Sequence, residues 1–294
     1  MLMLFIVIII MTASCKSDKT GRPAGEITDE EAGGVMGRIE HFRKVYHLCP
    51  SPAEMLGIID VSKMHYRGDI LNPPGNADNY LDTRSRTLNL GIYITDLAYT
   101  SLFGRNEETI NYLETVQDIA GAIRVSGAIN KEMIDRAKEN VRNIDSLISI
   151  SNEAFINMLF FCEKNNKPGT VIMISTGAFV ESLYLAINMI EKYDTTNYLI
   201  LHVAEQKYAI ENIMASSENL PEDPDVLKTI EILKPVLDIY ERFEITGGGT
   251  TVKKENLNKL IIGGGKKILL SEEEFTRLKE AASSVRNNII SNNI

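Results

Sequence analysis

Two stretches, residues 82–103 and 169–190, are apolar around nearly the whole circumference that a helix presents, and each carries one acid in its interior, Asp96 in the first and Glu181 in the second. A helix with no polar face has nothing to give to water, so both must lie centrally and be enclosed by other elements. The rest of the chain supplies the enclosure as amphipathic helices. Thr28-Asp29-Glu30-Glu31 opens a helical segment reaching about residue 47, with Val35, Ile39, Phe42 and Tyr46 on one side. Ser51-Pro52-Ala53-Glu54 is a capping box, and its helix is expected to reach about residue 64. Asn72-Pro73-Pro74-Gly75 forces a turn.

Further along, Asn106 is expected to cap a helix bearing Leu113, Val116 and Ala120. Residues 131–165 read as one long helix or two broken near Asn143, and residues 197–217 as one amphipathic helix. Asp223-Pro224 caps a helix that Pro235 should kink by removing a hydrogen bond, and Ser271-Glu272-Glu273-Glu274 is a second capping box opening the last helix, to about residue 290. Only near residues 245–270 does helical periodicity fail. There two glycine triplets bracket short apolar runs, and a small hairpin and an irregular excursion are equally compatible with the pattern. The expectation is an all-α protein, a multi-helix bundle or irregular helical-hairpin array of about nine or ten helices at ordinary lengths.

The N-terminus bears on location. The uncharged apolar run at residues 1–11 is shorter than the ~20 residues a membrane-crossing helix needs, but it suits the hydrophobic region of a secretion signal. Thr12-Ala13-Ser14-Cys15 then resembles a bacterial lipobox, which makes Cys15 the lipidated residue, although Thr12 stands where Leu is usual and no Lys or Arg precedes the run. Residues 1–14 are thus expected to be a lipoprotein signal peptide, residues 15–25 a polar tether rich in breakers, and residues 26–294 a single helical domain.

A net charge of −9, a pI near 5.1 and the lack of any basic stripe argue against a nucleic-acid surface. The four histidines, His41, His47, His65 and His202, form neither a zinc pattern nor a Glu-x-x-His pair, so no metal site is expected. No cofactor motif is present either: Gly263-Gly264-Gly265-Lys266 is followed by Lys267 and an apolar run rather than by Ser or Thr and a helix. There is no G-x-S-x-G elbow, and Cys49 and Cys162 have no catalytic neighbourhood in sequence, so two buried free thiols are expected.

Chemistry is therefore confined to Asp96 and Glu181. A carboxylate in an apolar helix must be paired, wet or protonated. Two acids meeting across a cleft can work as an acid and base pair of the glycosidase kind. Arg84 and Arg86, at the start of the first apolar helix, offer the opposite reading, in which buried ion pairs fix helix register without chemistry. The two helices also share a loose pattern, Gly91, Tyr93, Asp96 and Tyr99 against Gly177, Phe179, Glu181 and Tyr184, with glycine to acid five residues apart in one and four in the other. Chance similarity between two buried helices is the expected origin.

The lipobox-like start, the run Leu88-Asn89-Leu90-Gly91-Ile92-Tyr93-Ile94-Thr95-Asp96-Leu97-Ala98-Tyr99 and the run Gly177-Ala178-Phe179-Val180-Glu181-Ser182-Leu183-Tyr184 together resemble a group of uncharacterised all-helical lipoproteins of Bacteroidetes. That resemblance implies outer-membrane anchoring and a helical fold, and brings no activity with it. Lys16-Ser17-Asp18 is similar to the charged tracts that send some of these lipoproteins to the cell surface, which leaves a periplasmic and a surface position both open. The expected function is a non-enzymatic, envelope-anchored protein that binds another protein or a small ligand. The alternative is an envelope hydrolase using Asp96 and Glu181.

Overall fold

The structure, a computed structural model, describes residues 51–243, 245–246, 251–256, 259–263 and 267–294, all within a unit that spans Phe42 to Ile294. The signal peptide, Cys15, the tether, the helix expected over residues 28–47 and Cys49 lie outside the described residues.

Ten α-helices occur among the described residues: α1 (Pro52–Leu56), α2 (Thr83–Leu102), α3 (Asn106–Ala122), α4 (Lys131–Glu139), α5 (Ile144–Lys164), α6 (Pro168–Asn188), α7 (Tyr198–Glu205), α8 (Lys207–Ser217), α9 (Pro224–Tyr240) and α10 (Glu272–Ile290). Side chains set most of their starts by accepting from orphan amides of the first turn, as Asp82 does from Ser85 N, Asn130 from Met133 N, Asn143 from Ser146 N and Asp223 from Val226 N. Both capping boxes are formed. Ser51 accepts from Glu54 N and Ser271 from Glu274 N, each reciprocated by the glutamate.

Helices α2 and α6 form the centre. Every residue from Thr87 to Ser101 is buried in the first, and every residue from Ile172 to Leu183 in the second. They cross at Gly91 and Gly177, and the approach is so close that a Cβ on Gly177 would stand 1.9 Å from the Leu88 carbonyl oxygen. Only residues without a Cβ permit that distance between two backbones. Around this pair, α3 and α5 pack on α2, and α10 packs on α6 and touches α2. Among the described residues α6 is the one helix long and apolar enough to cross a membrane, but 83% of its apolar window is buried inside the fold, which makes it a core helix.

Several boundaries differ from expectation. The first helix ends at Leu56, with Gly57 as its cap, instead of reaching residue 64. Asn106 is the first residue of α3 and not its cap; Arg105 precedes it without a capping side chain. Residues 197–217 form two helices divided at Gln206, and the break near Asn143 is real, with residues 140–143 outside both α4 and α5. Helix α9 runs on through Pro235, which sits on the exposed face, where water can reach the carbonyl that proline leaves unbonded. The excursion near residues 245–270 is a pair of antiparallel ribbons. The inner hairpin joins β2 (Thr251–Asn256) to β3 (Lys259–Gly263) with Val252 opposite Ile262, and the outer joins β1 (Ile245–Thr246) to β4 (Lys267–Ile268).

Candidate functional site

Asp96 lies five residues beyond Gly91 on α2 and Glu181 four beyond Gly177 on α6, so the glycine crossing carries both acids to the same side of the helix pair. The glycines and the acids of the shared pattern thus meet in space. Its glycines are in backbone contact, and its acids are close enough for Glu181 to act on the ionisation of Asp96. Both carboxyl groups are 0% exposed.

The cation that answers them is Arg286 on α10. Its Nε donates to Glu181 Oε2 at 2.9 Å and its Nη2 to Oε1 at 3.2 Å, a two-pronged grip, while Nη2 also donates to the Ile70 carbonyl at 2.9 Å. The Tyr184 ring covers the guanidinium with 4.6 Å between Cζ and the ring centroid. Asp96 is held differently. Its Oδ2 accepts from Asn72 N at 3.1 Å, and its Oδ1 has no donor to accept from. Burial first, and the negative charge of Glu181 second, raise the Asp96 carboxyl well above the ordinary carboxylate range. A proton on Asp96 lets it donate to Glu181. The cluster is then one neutral acid, one carboxylate and one guanidinium, with no net charge in the core.

A loop stitched by tyrosines closes the cluster. Asn72 Nδ2 donates to Tyr80 OH at 3.0 Å, and the Asn72 carbonyl accepts from Tyr112 OH at 3.1 Å. Tyr93 OH donates to the Pro73 carbonyl at 3.0 Å and Tyr80 OH to the Ile290 carbonyl at 3.2 Å. Burial raises all three phenols, which keeps them protonated and able to donate.

Arg84 and Arg86 do not serve as the charge partners that their place in the sequence suggests. Arg84 Nη2 donates to the Ile294 carbonyl and Arg86 Nε to the Tyr80 carbonyl, each at 2.7 Å. They stand ten and twelve residues before Asp96 on the same helix, roughly 15 to 18 Å along its axis. Nearness in sequence misled here, since Arg286 lies 105 residues from Glu181. A signal for it exists nonetheless: Arg286 shares the buried stripe of α10 with Phe275, Leu278, Ala282 and Ile289, and an arginine on an apolar face needs a buried acid.

Elsewhere, Cys162 is a buried free thiol that burial pushes up to about 11, so it is inert. Among the described residues no group of three or more His, Cys, Asp or Glu is placed to hold a metal ion.

Asp96→Asn should test the protonation directly, because asparagine mimics the neutral acid and offers Glu181 an N–H. A raised native pKa means that the folded chain holds a proton the unfolded chain has lost. Wild-type stability then contains a term that falls as pH rises above about 3.9, by about 1.4 kcal/mol per unit, until Asp96 ionises. The variant lacks this term. Urea melts from pH 4 to 8 are expected to show the stability difference moving steadily in favour of Asp96→Asn as pH rises; a difference independent of pH would mean that Asp96 is ionised throughout.

No family model matches the chain, and no curated protein or solved structure is found to be similar to it.

Proposed function

We propose that this is an envelope-anchored helical lipoprotein that acts by binding rather than by catalysis, and that Asp96, Glu181 and Arg286 are its structural lock. The observation that carries the non-catalytic reading is the complete burial of both carboxyls, with Glu181 gripped twice by Arg286. A hydrolase would need at least one of these acids to touch substrate, and a carboxylate already spent on a buried guanidinium is poorly placed to act as base or nucleophile. The hydrolase alternative thus has the residue types without the access.

Anchoring is supported by the apolar run ending in Thr12-Ala13-Ser14-Cys15 and by the resemblance of both core helices to all-helical lipoproteins of Bacteroidetes. The membrane partner is engaged through lipid on Cys15, at the outer membrane, with the folded domain on the periplasmic or the cell-surface side. Metabolic labelling with a fatty-acid analogue tests this. Wild type should take up label and Cys15→Ser should take up none and accumulate as precursor; equal labelling would remove the anchor from the proposal.

A further inference from the structure

Apart from the sealed cluster, the surface carries a cavity of about 330 Å³ formed where residues 63–67 meet the end of α6 and the start of α7. Its walls are fixed from below. Tyr99 OH accepts from Arg67 N at 3.1 Å and contacts Met189 Sδ at 3.4 Å, which ties both sides of the cavity to one buried ring. Tyr198 OH accepts from Asp60 N at 3.1 Å and holds the same loop to α7. The cavity is therefore built into the fold rather than left between loose segments.

Its lining is rich in cationic side chains for so acidic a chain. In a protein of net charge −9 the lining holds Lys63, Arg67 and Lys192 against the single acid Glu191, with His65 beside them. Lys192 makes no ion pair among the described residues. Lys63 and Arg67 do pair, with Asp60 at 2.7 Å and Asp69 at 2.5 Å, but these aspartates do not line the cavity, and the pairs are exposed. Surface pairs of this kind are worth about 0–1 kcal/mol, so both cations can turn to a ligand at small cost. Asn197 adds direction. Its Oδ1 caps α7 by accepting from Leu199 N at 3.0 Å, which leaves Nδ2, without a partner among the described residues, as its free donor.

We infer that this cavity binds a small phosphate-bearing molecule, with Lys63, Arg67 and Lys192 against its oxygens and Asn197 donating to it. Three cationic side chains and an amide make a set of donors that suits the three acceptor oxygens of a phosphate monoester better than the two of a carboxylate, with Asp60 and Asp69 as the partners the ligand must displace. Phosphate on a soluble metabolite and phosphate in a lipid headgroup share this chemistry. The inference deepens the binding reading above by naming its ligand class, and it is tested independently of it, because anchoring is read by labelling and the lock by stability.

The test is calorimetric titration of the full chain with inorganic phosphate and with glycerol phosphate, in wild type, in Arg67→Gln with Lys192→Gln, and in a Lys138→Gln control whose side chain pairs with Glu114 instead. Saturable binding is expected, weakened at least tenfold in the double variant and unchanged in the control. Arg67 and Lys192 are exposed, so the double variant keeps its fold, and matching thermal melts check that. Sedimentation with phosphatidylcholine vesicles containing phosphatidylglycerol separates the sources: recruitment lost in the double variant assigns a lipid headgroup, and phosphate binding without recruitment assigns a soluble ester. Absence of saturable phosphate binding, equal binding by the double variant, or equally tight binding of acetate would overturn the inference.

Discussion

Arg286→Met should destabilise the protein by about 3–5 kcal/mol at neutral pH, the cost of leaving a buried charge without its partner. Four contacts go together: the two hydrogen bonds to Glu181, the bond to the Ile70 carbonyl and the stacking on the Tyr184 ring. Asp96 cannot replace the lost cation, since a neutral acid supplies one hydrogen bond and no positive charge. The informative companion is Arg286→Met with Glu181→Met. Replacing a buried ion pair as a whole by apolar side chains of similar volume is often neutral or stabilising, so the double variant should recover most of the loss although it removes more native bonds. Urea denaturation of wild type, the single variant and the double variant reads both effects. A single variant within about 1 kcal/mol of wild type would mean that Glu181 carries no charge in the fold.

The glycine crossing should be as unforgiving. Gly91→Ala puts a Cβ 2.1 Å from the Ile174 carbonyl oxygen and 2.6 Å from Ala178 N, and Gly177→Ala puts one 1.9 Å from the Leu88 carbonyl oxygen. These neighbours are backbone atoms, so no side chain can swing aside and the two central helices must separate. Losses of about 3 kcal/mol or more are expected for each, at the upper end of what overpacking costs. Gly121→Ala gives the opposite sign: it lies in α3 with nothing within 4 Å of its would-be Cβ, and alanine there should stabilise by about 0.5–1 kcal/mol. Thermal melts of the three variants check the contrast. Because the crossing also positions the acids, the pH signature of Asp96→Asn should weaken in a Gly177→Ala background.

What was legible in the sequence was local. Ser51, Asp223 and Ser271 each carry their instruction within three residues, as a side chain that accepts from the next turn's amides, and the helices begin where those residues stand. The centrality of α2 and α6 was legible too, because apolar residues on every side leave no other place for a helix. Helix ends are less legible: the first helix stops at Leu56 with Gly57 as its cap in an ordinary right-handed conformation, and residues 197–217 divide at Gln206 with no glycine or proline to mark the break. The site was half legible. Asp96 and Glu181 stood out as acids in apolar helices, but their partner depends on which face of α10 meets α6, and that is decided by packing over the whole core. The tyrosine-stitched loop over residues 70–80 was hidden for the same reason, as its bonds reach to Tyr93, Tyr112 and Ile290.

The lock requires a neutral Asp96 beside a charged Glu181 and Arg286. Infrared difference spectroscopy on protein labelled with carbon-13 aspartate reads the first of these without perturbing the fold. Subtracting the spectrum of Asp96→Asn from that of wild type at about pH 7 should leave one protonated carboxylic-acid carbonyl band, shifted by the label, and no carboxylate band. A difference consisting of the carboxylate stretches instead would show Asp96 ionised, and would contradict the neutral lock.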